Sequence, residues 1–185
     1  MAVRRWFAAA PVTGVIFALL VPQPAAAGSR TVYFLKNSHV VAPGKYRIGR
    51  RQVKCGSART VIAPRFPDYG GALPGMIILN PGKLRRISLT VRRFVYAHEC
   101  GHQIVGRDET AADRYAIQRG RRMGWLNRRG VKQICRELFR GEKGDRQHPP
   151  GAVRCRAIAN AYNDARPVPE GRRARNFNVE TGGYR

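Results

Sequence analysis

The most regular pattern of apolar and polar positions runs through residues 88–105. Val91, Phe94 and Val95 recur at the three- and four-residue intervals of an α-helix and lead directly into His98 and His102, while Arg92 and Arg93 turn the other way. Gly106 then supplies a residue that can adopt the left-handed conformation ending a helix, and Asp108 or Thr110 can cap the next one. Helical spacing continues over Glu109 to Met123, Val131 to Phe139 and Ala152 to Tyr162, with Gly120, Gly124, Gly130 and Gly141 marking breaks. The first half reads differently. Thr31 to Leu35, Val53 to Ile62 and the purely apolar Met76 to Asn80 are β-type runs punctuated by glycine and proline. Tyr69 to Gly75 reads as a loop and Asn80-Pro81-Gly82 as a turn. The pattern predicts an α+β domain: a small, mainly antiparallel sheet packed on the helix around His98, followed by two or three further helices.

The polar residues on that helix carry the candidate chemistry. In His98-Glu99-Cys100-Gly101-His102 the two imidazoles are four residues apart, so a helix places them on one face a turn apart, where they can share a zinc ion. Glu99 then lies beside the metal, where a general base takes a proton from water. A catalytic zinc takes three protein ligands and leaves one position open, so a third is needed. Glu109 is the first choice. An unbroken helix would put it about 10 Å beyond His102, so this assignment requires a break at Gly106. Asp113, one turn further on, is the alternative ligand, or it orients a ligand histidine by accepting a hydrogen bond.

The order His-Glu-x-x-His, Glu109-x-x-Ala112-Asp113, then His148-Pro149-Pro150-Gly151-Ala152-Val153-Arg154 resembles the gluzincin metallopeptidases of the HtpX and CAAX prenyl protease type, over about Tyr69 to Tyr162. The gap from His102 to Glu109 is shorter than is usual there, closer to the Gly-containing turn of metzincins. The multiple membrane spans of the integral members are missing, so a small soluble exported relative is the nearer comparison. The resemblance implies a zincin-like fold, His98, His102 and Glu109 as ligands, Glu99 as base and Asp113 behind them. It also implies that the strand Met76 to Asn80 is the sheet edge that pairs with an extended polypeptide substrate; an ordinary core strand is the alternative. His148 and Arg154 can approach as stabilisers of an oxyanion, or His148-Pro149-Pro150 can simply start the last helix.

The amino terminus places the protein outside the cytoplasm. Arg4 and Arg5 precede the apolar run Trp6 to Val21, and Ala25-Ala26-Ala27 offers a cleavage site, so residues 1–27 read as a signal peptide and the product as periplasmic or secreted. Residues 28–164 then form the metallopeptidase-like domain, and residues 165–185, rich in Arg, Pro, Gly and Asn, a basic tail. Export bears on Cys55, Cys100, Cys135 and Cys155, which allow two disulfides in three connectivities. Pairing the neighbours Cys135 and Cys155 would tie two helices together and leave Cys55 to join the active helix through Cys100; four separate buried thiols are the alternative. Cys100, roughly 200° around the helix from His98, is no candidate ligand.

Charge adds one further expectation. The chain carries 35 Lys and Arg against 11 Asp and Glu, a net +24, which predicts attraction to an anionic membrane or cell-wall surface. No zinc finger, recognition motif or aromatic-rich basic stripe marks it as a nucleic-acid binder. The sequence therefore predicts an exported zinc peptidase acting on polypeptide. The alternatives are a non-hydrolytic zinc-containing basic protein held on anionic envelope surfaces, and a basic antimicrobial or nucleic-acid-binding protein, which leaves the zinc motif unexplained.

Overall fold

The computed structural model describes residues 36–166. The segment 1–27 read as a signal peptide, the run Thr31 to Leu35 and the tail beyond residue 166 lie outside the described residues. Strands come first and helices after them. Strands β1 (His39–Val41), β4 (Arg59–Ile62), β5 (Gly70–Leu73) and β6 (Met76–Leu79) form one sheet in the order β1-β4-β6-β5, and β2 (Arg47–Ile48) pairs with β3 (Arg51–Gln52) in a small ribbon. Four helices of more than one turn follow the single turn α1 (Pro81–Leu84): α2 (Leu89–Val105), α3 (Glu109–Arg122), α4 (Arg128–Leu138) and α5 (Gly151–Asp164). The class is α+β with a mostly antiparallel sheet, the one parallel pair being β4 with β6, in the register Thr60 opposite Ile77.

Several local expectations are corrected. The segment read as a loop from Tyr69 to Gly75 contains β5, because Pro74-Gly75 closes a tight turn that puts Leu73 opposite Met76. Gly75 sits at φ 71°, which glycine after proline adopts freely in such a turn. The expected run Val53 to Ile62 is strand only from Arg59 onward, since the chain turns at residues 55–58, where Ala58 N–H bonds Cys55 O. Asn80-Pro81-Gly82 begins α1, with Asn80 Oδ1 accepting from Lys83 N at 3.1 Å.

The larger correction concerns Met76 to Asn80. Its strand, β6, lies inside the sheet between β4 and β5, so the edge next to α2 is β5. An all-apolar run suits a strand covered on both faces. Ile77 and Leu79 pack on the helical side with Val91, Phe94 and Val95, whereas Ile78 joins Val61 and Ala63 beneath Phe66 and Met76 on the other. Gly70 and Gly71 suit the edge because they leave its backbone close to what lies above.

Helix α2 is buried more completely than a single apolar stripe requires. From Phe94 to Gly101 every residue is buried, with α3 and α4 covering what the sheet does not. Among the described residues no helix is long and apolar enough to cross a membrane. Cys55 bonds Cys100, joining the β-rich half to the middle of α2, and Cys135 bonds Cys155, joining α4 to α5.

Candidate metal centre

Two helices and one glycine build the centre. Helix α2 ends at Gly106, whose φ of 69° disfavours other residues, and Asp108 restarts the chain by accepting from Ala111 N at 2.9 Å at the head of α3. The reversal lays the first turn of α3 against the last two turns of α2. Contact is closest at Gly101, where an added Cβ would stand 2.9 Å from Ala112 Cα, so only glycine permits this approach. Glu109 is thereby carried back over the histidines it would pass by 10 Å in a continuous helix.

Three donor atoms converge. His98 Nε2 and His102 Nε2 are 3.1 Å apart, and each lies 3.3 Å from an oxygen of Glu109. The other ring nitrogens are held from behind. His98 Nδ1 is 2.9 Å from Asp113 Oδ1, and His102 Nδ1 is 2.6 Å from the carbonyl oxygen of Gly106. A carbonyl accepts only, so His102 Nδ1 carries the proton; His98 Nδ1 lies within ion-pair distance of Asp113 without a well-aligned hydrogen bond, and with its proton on that side the Nε2 lone pairs of both neutral rings face the Glu109 carboxylate. Two lone pairs and a carboxylate facing one another need a cation between them. Glu109 Oε2 is buried and accepts no hydrogen bond of good geometry. The donor set therefore fits a metal ion, with His98, His102 and Glu109 as the group that would hold it.

The same cluster shifts the titration of its members when only protons are available. Burial opposes a charge on His98, but the close carboxylates of Asp113 and Glu109 outweigh it and raise its pKa to about 9. His102 is also raised, chiefly by its bond with Glu109. Burial works to raise Glu109, yet the two histidines hold it well below the usual carboxylate range. Glu99 goes the other way: burial pushes it up, with His98 and His102 pulling back. It is 7% exposed, and an added Cβ on Gly70 would meet its Cγ at 3.0 Å and its Oε1 at 3.1 Å. The edge strand β5 thus lies directly over Glu99.

Behind Glu109 stands a second layer. Arg154, on α5, donates from Nε and Nη2 to the two oxygens of Asp113 at 2.8 and 2.7 Å, and its Nη2 is 3.3 Å from Glu109 Oε2. Its guanidinium lies 4.4 Å from the Phe139 ring centre, which meets Phe94 edge-on beside His98. This side chain thus bridges the two carboxylates through Nε and Nη2. His148 sits at the mouth instead, its Nε2 3.6 Å from Glu109 Oε1 and its Nδ1 3.1 Å from Asp145 Oδ1. Asp145 also accepts from the backbone N–H of Gln147 and His148, at 2.7 Å each, which shapes the loop and holds the carboxyl low.

Three contributors were not read from the sequence: Gly70, Gly101 and Gln103. Glycine in a helix interior costs about 1 kcal/mol relative to alanine, so Gly101 was the available signal of a close helix approach. Gln103, next to His102, donates to Leu73 O at 2.9 Å and Met76 O at 3.2 Å and accepts from Gly75 N at 2.9 Å. It clamps the β5–β6 turn to the end of the histidine helix, and nothing in its local sequence distinguishes it. Neither a family model, nor a curated protein, nor a solved structure matches the chain.

Proposed function

We propose that the protein is a zinc-dependent peptidase, the reading carried by one observation: three metal-donor atoms converge beside a buried carboxylate, Glu99, which like the strand edge above it has no hydrogen-bonded partner among the described residues. A purely structural zinc site fills its fourth position and has no use for a base. Two imidazoles and one carboxylate are a donor set zinc accepts, and when bound it supplies Lewis-acid polarisation and an acidified water. The arrangement of sheet, histidine helix and returning glutamate helix supports the resemblance to gluzincins.

The chain's own residues then have separable parts. The outer side of β5, unpaired among the described residues, receives an extended polypeptide by backbone hydrogen bonds. Glu99, kept protonatable by burial, takes the proton of the attacking water and passes it to the leaving amine. His148, steadied by Asp145, stands on the exposed side, where it can donate to the oxygen of the tetrahedral intermediate. Asp113 and Arg154 keep His98 and Glu109 in place.

The test compares wild type with Glu99→Gln for metal content and for hydrolysis of an unfolded protein. We expect about one zinc in each, with hydrolysis lowered roughly 10²- to 10⁴-fold in the variant. His98→Ala with His102→Ala should abolish stoichiometric binding. Metal-loaded wild type without hydrolysis of any unfolded substrate would favour the non-catalytic basic protein instead.

A further inference from the structure

Helix α4 has two unlike faces. Gly130, Val131 and Ile134 are buried, while Arg128, Arg129, Lys132 and Arg136 are exposed, with Arg140 continuing the row just past the helix end. Arg128, Lys132, Arg136 and Arg140 follow one another at four-residue intervals, a step of about 6 Å along the axis. Clustered cations of this kind repel one another unless something neutralises them. Among the described residues they are largely left unneutralised. Arg128, Arg129, Lys132 and Arg140 have no hydrogen bond or ion pair among the described residues, and Arg136 meets only Glu137, at 3.3 Å.

Beside the row runs a shallow groove of about 670 Å³, with Lys132, Arg136 and Arg140 on one wall and Phe139, Ala152 and the Cys135–Cys155 bridge among its lining. Glu142 is the single carboxylate at its rim. The charges follow one line, and the one aromatic residue lining the groove, Phe139, is buried and packs against Phe94 and Arg154. A ligand recognised here is therefore met by charge along a line and not by base stacking.

We infer that this face of α4 is a docking surface for a linear phosphate polyanion, a polymer carrying phosphate groups along its length, to which guanidinium groups donate in bidentate fashion. It is independent of the metal centre, and it locates the attraction predicted by the net charge in a folded element.

Long-chain inorganic polyphosphate is the probe, bound to the full chain and followed by fluorescence anisotropy over a salt series. Replacing Arg128, Lys132, Arg136 and Arg140 by Gln should weaken binding at least tenfold and lower the slope of log affinity against log salt by about 3, since each contact on a single-stranded polyanion contributes about 0.7. A control with Arg50, Arg59, Arg85 and Arg114 replaced by Gln removes the same charge from elsewhere and should change affinity less than threefold. Restoring the row as four lysines should recover binding. An equal loss in the control, or none in the row variant, would overturn the assignment in favour of diffuse charge or the tail. Competition by orthophosphate at equal phosphorus, or tighter binding to phosphatidylglycerol vesicles or oligothymidylate at equal charge, would overturn the linear, base-free polyanion. Circular dichroism and zinc content of the row variant, both expected unchanged, separate loss of docking from loss of fold.

Discussion

Each histidine of the cluster has two jobs divided between its nitrogens, and this division sets what substitution should do. Asp113 touches the back of His98, whereas Glu109 faces the space between the rings. Glu109→Ala should therefore weaken zinc binding more than Asp113→Ala, the latter by about 10- to 100-fold, as measured by competition with a chromogenic chelator. The reverse ordering would make Asp113 the ligand. Arg154→Met should lower the stability of the metal-free protein by about 3 kcal/mol in urea unfolding, because it leaves Asp113, 1% exposed, without its bidentate guanidinium and with only His98 beside it. The protonation of His98 gives a pH signature. Its folded pKa of about 9 lies above the ordinary 6.5, so its contribution is fully present below pH 6.5 and is lost as the pH rises through 9. The Tm of chelated protein should fall across that window, and zinc binding within it should release a proton from His98, seen as a buffer-dependent heat. A Tm that is flat from pH 6.5 to 9 would contradict the raised pKa.

At the level of elements, the centre depends on two close approaches. Gly101→Val drives a side chain into Ala112 and should separate α3 from α2, losing zinc while the sheet remains; unchanged zinc content would show that the helices can part without moving Glu109. Gln103→Ala removes three hydrogen bonds between α2 and the hairpin but touches none of the donor atoms. Zinc content should stay at about one, while KM for a peptide rises more than kcat falls, if β5 is the strand on which substrate lies. A change confined to kcat would place Gln103 in the chemistry rather than in positioning the edge.

The two bridges hold the molecule together in different ways. Cys55–Cys100 closes 45 residues and is buried, whereas Cys135–Cys155 closes 20 and borders the groove. Loop-closure entropy assigns them roughly 4 and roughly 3 kcal/mol respectively. Serine replacement of each pair should lower stability in that order, as read by urea midpoints at constant m. Only the second pair ties down the helix carrying Arg154, so its removal should also weaken zinc binding; an unchanged affinity would mean that α5 is held by packing alone.

What the sequence determined by itself was local. The four-residue interval of His98 and His102, the glycine stop at Gly106, a cap at Asp108 or Thr110 and the presence of the later helices follow from φ/ψ preference and periodicity within a few neighbours, whereas Gly120 and Gly130, read as breaks, lie inside helices and the helix expected from Val131 starts at Arg128. They brought fold class and most of the donor set into view. The tertiary structure decided what depends on residues far apart in the chain. Whether Met76–Leu79 lies at the edge or inside the sheet depends on Gly70–Leu73 pairing outside it, and two adjacent glycines give no periodic signal of a strand. The roles of Asp113 and Arg154 depend on α5 returning 41 residues later to form their bidentate pair. Gln103 clamps backbone atoms, and backbone atoms are the same in every sequence. The α-helical spacing could place two imidazoles side by side, but only packing at Gly101 could bring Glu109 between them.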